Sequence, residues 1–446
     1  MNRIQKAASL LLALLLIFSL AACQQTPAET TTAPTETTAA PTETTAAPTE
    51  TTAPEETTEA TEPLSPEEQI LAERRDIVEA YMRQQATILW RSEEDVLYTL
   101  TSNVLPEESD ESKQIQIVAG RIYQGMPYGY STGTTSILTE FATGEPDSNG
   151  IYTLSGLTWE NLSGYHKSAR IGNDCSSAVA LAWSQIGASI TAKTTEFMCQ
   201  DYGFLPVGDY EVIPSTNEPT SAVIAQNGPE TMYAAYAQLQ KGDAVVRRAT
   251  GSGHAAMIVD VEVFYNEDGS IDPKLSYVTI LEQTSTRAKS PTASYYHEVT
   301  GEPVYEICTV DNEWSFNYLL RKAYLPITCK ELIDPSPIPE KTVTDSQTEF
   351  NKDTLLTGTL SSKWFIDAVT VTVTDSSGDT VQEAMAFPTR GQNHDFGLQK
   401  FVTDHPSAIR GSIDPAALTS GNYHCTVTCR LTTGEEFTVR DFDFAV

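Results

Sequence analysis

The stretch that most restricts the fold is Asn173-Asp174-Cys175-Ser176-Ser177-Ala178-Val179-Ala180-Leu181-Ala182-Trp183. A short polar segment carrying a cysteine runs directly into an apolar, alanine-rich run. Asp174 or Asn173 suits an N-cap, which predicts a helix that starts at Cys175 and reaches about Ile186. Unpaired N–H groups at a helix start, and the positive end of its dipole, favour a thiolate there. A cysteine nucleophile requires that setting, with an amide beside it for an oxyanion. A small buried thiol in a structural helix would carry the same local sequence. The meaning of Cys175 therefore depends on its partners.

Those partners are expected downstream. Residues 231–240 form a short helix that stops near Lys241-Gly242-Asp243, and the hydrophobic period then changes to that of strands. Ala244-Val245-Val246 is a first strand and Thr250-Gly251-Ser252-Gly253 a turn. His254–Val261 is a second strand, Asn266–Gly269 another turn, and Tyr277–Gln283 a third strand. Helices first and antiparallel strands after predict an α+β domain. His254 then stands at the first position of its strand. Glu282 or Gln283 stands at the end of the next, which antiparallel pairing brings alongside. Cys175, His254 and one of these two side chains make a nucleophile, a base and an orienter. Alternation puts Glu282 and Gln283 on opposite faces. Glu282 is favoured, because a carboxylate both orients and stabilises an imidazolium.

On these residues the chain resembles the bacterial cell-wall cysteine peptidases of the NlpC/P60 class and their CHAP amidase relatives. Asp174-Cys175-Ser176-Ser177 is similar to their Asp-Cys-Ser-Gly motif, with Ser177 in place of the usual glycine. Lys241-Gly242-Asp243-Ala244-Val245 and His254-Ala255-Ala256-Met257-Ile258 resemble their Gly-Asp strand and His strand, and Gly125-Met126-Pro127-Tyr128 resembles their Gly-x-Pro-Tyr. The resemblance spans roughly residues 120–285. It implies a papain-like fold, attack by Cys175 on an amide carbonyl, and an oxyanion site at the Cys175 N–H helped by Tyr128. The implied substrate is a peptidoglycan peptide or the amide joining peptide to glycan, with no cofactor. The remaining histidines (His166, His297, His394, His405 and His424) lack zinc-ligand spacing, so no metal is expected either.

The N-terminus reads as an export signal. Met1–Ala22 has Arg3 and Lys6, an apolar run Leu10–Leu20, and small residues at its end. Leu20-Ala21-Ala22-Cys23 resembles a bacterial lipobox, which implies lipidation of Cys23 and attachment to the membrane through acyl chains alone. Residues 23–64 form a linker in which Ala-Pro-Thr-Glu-Thr-Thr-Ala recurs, with Pro34, Pro41 and Pro48 seven apart. It has no apolar seam and cannot bury enough to fold. A net charge of −32 argues against nucleic acid and anionic lipid as partners.

Elsewhere, Ser65-Pro66-Glu67-Glu68 opens a long helix with a capping box. Ile115–Ile122 is expected to be a short helix, residues 129–172 mostly loop, and residues 196–230 irregular. Trp314–Leu320 is expected to serve the core rather than line a groove, and a Cys308–Cys329 bridge is possible. The catalytic domain is expected over 65–335. Asp334–Pro339 is a stiff linker, and 340–446 an all-β immunoglobulin-like sandwich. Its strands are expected at Leu355–Leu360, Ala368–Thr374, Thr380–Phe387, Tyr423–Leu431 and Glu436–Val446. Cys425 and Cys429 lie on one strand face, too far apart to bridge. This part is expected to bind wall polymer or to space the enzyme. The function expected is surface-anchored amide hydrolysis of peptidoglycan. An inactive wall-binding lipoprotein and a Cys–His acyltransferase are the alternatives.

Overall fold

Ser65 begins the first helix, Pro66–Thr87, and the capping box forms. The Glu68 N–H donates to Ser65 Oγ at 3.3 Å, and the Ser65 N–H donates to Glu68 Oε2 at 2.8 Å. One stripe of the helix faces inward: Val78 and Met82 are buried and Tyr81 packs against the same core, while Ile70 and Ile77 are exposed. Two arginines on this helix are buried as well. Arg74 donates to the carbonyls of Glu331, Asp334 and Ser336, and Arg75 pairs with Asp243 at 3.0 Å. The helix therefore ties together segments more than 160 positions downstream.

The computed structural model describes residues 64–100, 110–129, 133–160, 167–190, 204–213, 218–388, 393–402 and 409–446. The export signal, Cys23, the repeat-bearing linker and Cys199 lie outside the described residues. So do His166 and His405. Among the described residues no helix is long and apolar enough to cross a membrane.

The architecture is mixed α/β and mostly sheet. A six-stranded antiparallel sheet runs in the order Cys308–Ser315, Tyr277–Gln283, Ser252–Glu262, Ala244–Ala249, Leu325–Cys329, Phe204–Pro206. The Cys175–Ser184 helix packs on it through Ala178, Val179, Ala182 and Trp183, against Ala255, Met257 and Ile280. All ten residues of that helix are buried. Trp183 Nε1 donates to the Gly242 carbonyl at 2.7 Å, which joins the helix to the turn that opens the sheet.

Several local expectations are corrected. Ile115–Ile122 is not a helix. Gln114–Ile117 is a strand paired with Val96–Thr99, and Ile122–Gln124 enters a second sheet with Leu89–Ser92, Ile151–Leu154 and two downstream strands. Ile115 and Ile117 are buried while Gln116 is exposed, so the alternation has period two. Residues 129–172 are more regular than loop: they hold the helix Thr135–Glu140 and the strands Ile151–Leu154, Thr158–Glu160 and Lys167–Ala169. The region 196–230 holds the strand Phe204–Pro206 and the first half of a helix, Thr220–Tyr236. Gly228 (φ +78°, ψ 165°) is non-helical and, with Pro229 after it, divides this stretch into two helical pieces, which share one core through Val223 and Met232. Cys308 and Cys329 are free thiols, not a bridge.

In the C-terminal part, four of the five expected strands form: Ile366–Asp375, Thr380–Ala386, Asn422–Leu431 and Glu436–Ala445. With Ile409–Ser412 they make an antiparallel sheet, and a three-stranded sheet shares its core. The expected strand Leu355–Leu360 is reduced to Thr359–Ser361. Arg440 explains this: it donates to the carbonyls of Thr354, Leu355 and Thr357, which hold the preceding segment as turns. Cys425 and Cys429 are both fully buried.

This part is not suspended from a free linker. The Ser336 carbonyl is held by Arg74, and Trp364 Nε1 donates to the Pro339 carbonyl at 3.2 Å. Phe365 packs on Ala180 and Leu181 of the Cys175 helix, and Ala368 and Phe387 join the core around Tyr128, Ile137 and Ile171. Asp367, fully buried, accepts from Thr134 Oγ1 at 2.6 Å, from Ser136 Oγ, and from Arg430 Nε at 3.0 Å. Residues Pro63–Val446 are one compact unit.

Candidate active site

Asp174 is the N-cap of the Cys175 helix. Its Oδ1 accepts from the Ser177 N–H at 2.8 Å and from Ser176 Oγ at 3.0 Å. Cys175 is thereby the first residue of the helix, where N–H groups lack intrahelical partners and the dipole is positive. Only 6% of it is exposed. The backbone leading to it is clamped. The Asn173 N–H donates to Pro127 O, the Gly129 N–H to Asn173 O, and the Gly133 N–H to Gly172 O. Gly172 has φ +126°, and a Cβ there would lie 2.3 Å from the Pro127 carbonyl oxygen. A side chain at this position is excluded on both counts.

His254 comes from the central sheet. Its strand begins at Ser252, so His254 is the third strand residue rather than the first, and the turn shrinks to Thr250-Gly251 with Gly251 at φ +71°. His254 Nε2 meets Glu282 Oε2, and Glu282 Oε1 accepts from Thr309 Oγ1 at 3.0 Å. Burial disfavours charge on the imidazole. The Cys175 sulfur, by charge and hydrogen bonding, and then Glu282 outweigh burial and raise the His254 pKa from 6.5 to about 10. The sulfur, the imidazole and the carboxylate thus act on one another in sequence.

Of the two orienter candidates, Glu282 is the one that reaches the imidazole. Gln283 points away and is consumed elsewhere: its Nε2 donates to the Met126 carbonyl at 3.1 Å, and its Oε1 accepts from Cys308 Sγ at 3.0 Å. Tyr128 stands beside the segment that leads to Cys175, bridged to Asn173, and lines the same cleft as His254 and Glu282. The cleft encloses about 570 Å³. One wall is aromatic. Trp314, Tyr318 and Tyr324 cluster at centroid separations of 5.0–6.4 Å, and the His254 ring lies 6.3 Å from both Trp314 and Tyr324. The expectation that Trp314–Leu320 serves only the core is therefore half right: Phe316 and Leu319 are core, but Trp314 and Tyr318 face the cleft.

Asp243 of the Gly-Asp turn is not in the cleft. It is buried against Arg75 and accepts from the Gln240 N–H at 2.8 Å, which is a structural task. Thr309 and Arg247 were not identified from sequence. Thr309 had no local signal. Arg247 had one, since antiparallel pairing across a short turn sets it directly opposite His254. Among the described residues no cluster of three His, Cys, Asp or Glu side chains is arranged to hold a metal ion.

No family model and no curated protein matches the chain. Among solved structures, a tetra-tandem repeat in the extending region of a large adhesion protein is similar at 16% identity, over 46% of this chain and 40% of that one, with a TM-score of 0.15. The chain thus spans less than half of that structure's length, and the functional reading rests on the site itself.

Proposed function

We propose that the protein is a cysteine hydrolase that cleaves amide bonds of peptidoglycan, either within peptides or between peptide and glycan. The observation that carries this reading is the sequence of contacts from Cys175 through His254 and Glu282 to Thr309. In this reading the central sheet with its packed helix is a papain-like domain of the NlpC/P60 and CHAP kind. The C-terminal sheets are an immunoglobulin-like sandwich, and the chain is an exported lipoprotein held at the outer membrane face through Cys23.

The chemistry follows from the contacts. Nε2 of His254 is committed to Glu282, which leaves Nδ1 for the sulfur. Cys175 attacks the carbonyl carbon as a thiolate, and the carbonyl π pair moves to oxygen. The Cys175 N–H at the helix start, together with Tyr128, stabilises that oxyanion. Collapse of the tetrahedral species breaks the C–N bond, and His254 gives its proton to the departing amine. Water, deprotonated by His254, then cleaves the thioester and regenerates the thiolate. Glu282, fixed by Thr309, orients the imidazole and stabilises its charged form throughout.

The test is incubation of the purified protein with peptidoglycan, beside Cys175→Ala. Release of new amino groups by the wild type alone is the expected result. Retention on the wall with no release would replace this reading with a non-catalytic wall-binding role.

A further inference from the structure

We propose that Arg247 is a carboxylate-binding residue of the cleft, taking a free carboxylate that flanks the scissile amide of an acidic peptide substrate. This rests on the cysteine-hydrolase reading above and narrows its substrate class.

Three observations carry it. The first is position. Arg247 is the cross-strand partner of His254, and residues directly opposite in an antiparallel pair project to the same face with Cβ atoms about 5 Å apart. The guanidinium therefore sits beside the catalytic base, and both line the cleft. The second is an unmet bonding demand. Arg247 Nε is buried and has no hydrogen-bond partner among the described residues. The three most deeply buried arginines are consumed: Arg74 and Arg75 by carbonyls and Asp243, and Arg440 by Asp345 and three carbonyls. Arg170 Nε and Arg430 Nη2 are buried without a partner among the described residues as well, but neither residue lines the cleft. A second cation of the cleft, Arg287, is paired with Glu306. A chain with 60 acidic and 28 basic residues does not lack carboxylates to offer. Yet the carboxylate that lines the same cleft, Glu282, is taken by His254 and Thr309. The third is orientation. The guanidinium carbon lies 5.9 Å from the Tyr324 ring centroid, so the aromatic wall supports the fork from one side. Arginine presents a planar set of donors that matches a carboxylate with two parallel hydrogen bonds.

The substrate inferred is an amide whose neighbouring residue carries an ionised carboxyl group, in preference to its carboxamide. The binding step is non-covalent: the guanidinium replaces water around the carboxylate and no proton is transferred.

The experiment uses two alkylating agents of similar size. Iodoacetate carries a carboxylate and iodoacetamide the matching carboxamide. Each forms an S–C bond with the Cys175 thiolate and expels iodide. Rates at Cys175 are measured on the full 446-residue chain by peptide mass spectrometry, for wild type, Arg247→Gln, Arg247→Met and Arg247→Lys. The expected result is a fall of about tenfold in the iodoacetate-to-iodoacetamide rate ratio in both neutral variants, and retention of most of the ratio in Arg247→Lys. The ratio cancels general effects on thiol reactivity, and the two neutral variants guard against one that does not fold. An unchanged ratio in folded Arg247→Gln or Arg247→Met would overturn the carboxylate site while leaving the hydrolase reading intact. Failure of Cys175 to react with either reagent in the wild type would remove both.

Discussion

Asp367→Asn is the substitution that most directly asks what the C-terminal sheets do for the site. Asp367 is buried, belongs to the C-terminal sheet, and takes three hydrogen bonds, from Thr134, Ser136 and Arg430. Thr134 adjoins Gly133, whose N–H donates to Gly172 at 2.5 Å, three residues before Cys175. Asparagine keeps the shape but removes the charge, and its amide turns a donor toward groups that are themselves donors. Removing one partner of a buried ion pair costs about 3–5 kcal/mol. Two features favour the lower end. Arg430 keeps Glu140, with Nη1 at 3.1 Å. Burial also raises the Asp367 pKa against the pull of Arg430, so part of the pair's attraction is already offset. A loss of about 3 kcal/mol lowers the folding equilibrium constant by about two orders of magnitude. Urea unfolding followed by tryptophan fluorescence measures it, and alkylation of Cys175 by iodoacetamide reports the effect on the site. The apolar pair Asp367→Leu with Arg430→Met is expected to recover most of the stability. If Asp367→Asn unfolds within about 0.5 kcal/mol of the wild type, the buried carboxylate does not hold the two parts together, and the reasoning fails.

Other outcomes are expected on the same grounds. His254 is charged in the folded chain up to about pH 10, against 6.5 as the ordinary value. Its stabilising contribution is full below about pH 6.5 and is lost as pH rises through 10. Glu282→Gln and Cys175→Ala should each bring the imidazole titration down, read by NMR of the His254 ring, and an unmoved titration would refute the coupling. Gly172→Ala places a methyl 2.3 Å from the Pro127 carbonyl oxygen and should cut peptidoglycan hydrolysis by about a hundredfold, since small displacements of a nucleophile are that costly; unchanged turnover would contradict the clamp. Truncation after residue 335 strips Phe365, Ala368 and Phe387 from the cores they share, and should give aggregation or a broadened unfolding transition rather than an active fragment.

Much of the site was legible because its signals are local or nearly so. An Asp cap ahead of an apolar run announces the Cys175 helix, and a glycine turn between apolar stretches announces the strand carrying His254. Glu282 was separable from Gln283 on chemical preference, and the alternation of one strand places the two on opposite faces. Arg247 and Thr309 were harder. Arg247 follows from the short turn that pairs it with His254, but Thr309 takes its place only once the register between separate strands is set. The region Ile115–Ile122 misled because a short apolar run fits a helix or a strand equally, and long-range pairing with Val96–Thr99 decided it.

Composition and local pattern alone determined the starts of the Pro66 and Cys175 helices, the strand-rich C-terminal part, and the pairing of Cys175 with His254 as a candidate site. Only the tertiary structure decided which side chain holds His254, that Trp314 and Tyr318 face a cleft, and that Phe365 is packed onto the Cys175 helix. The physical reason is reach. Caps, turns and periodicity act over a few residues, whereas burial of Asp367 against Thr134 joins positions 233 apart, and no local preference encodes such a contact.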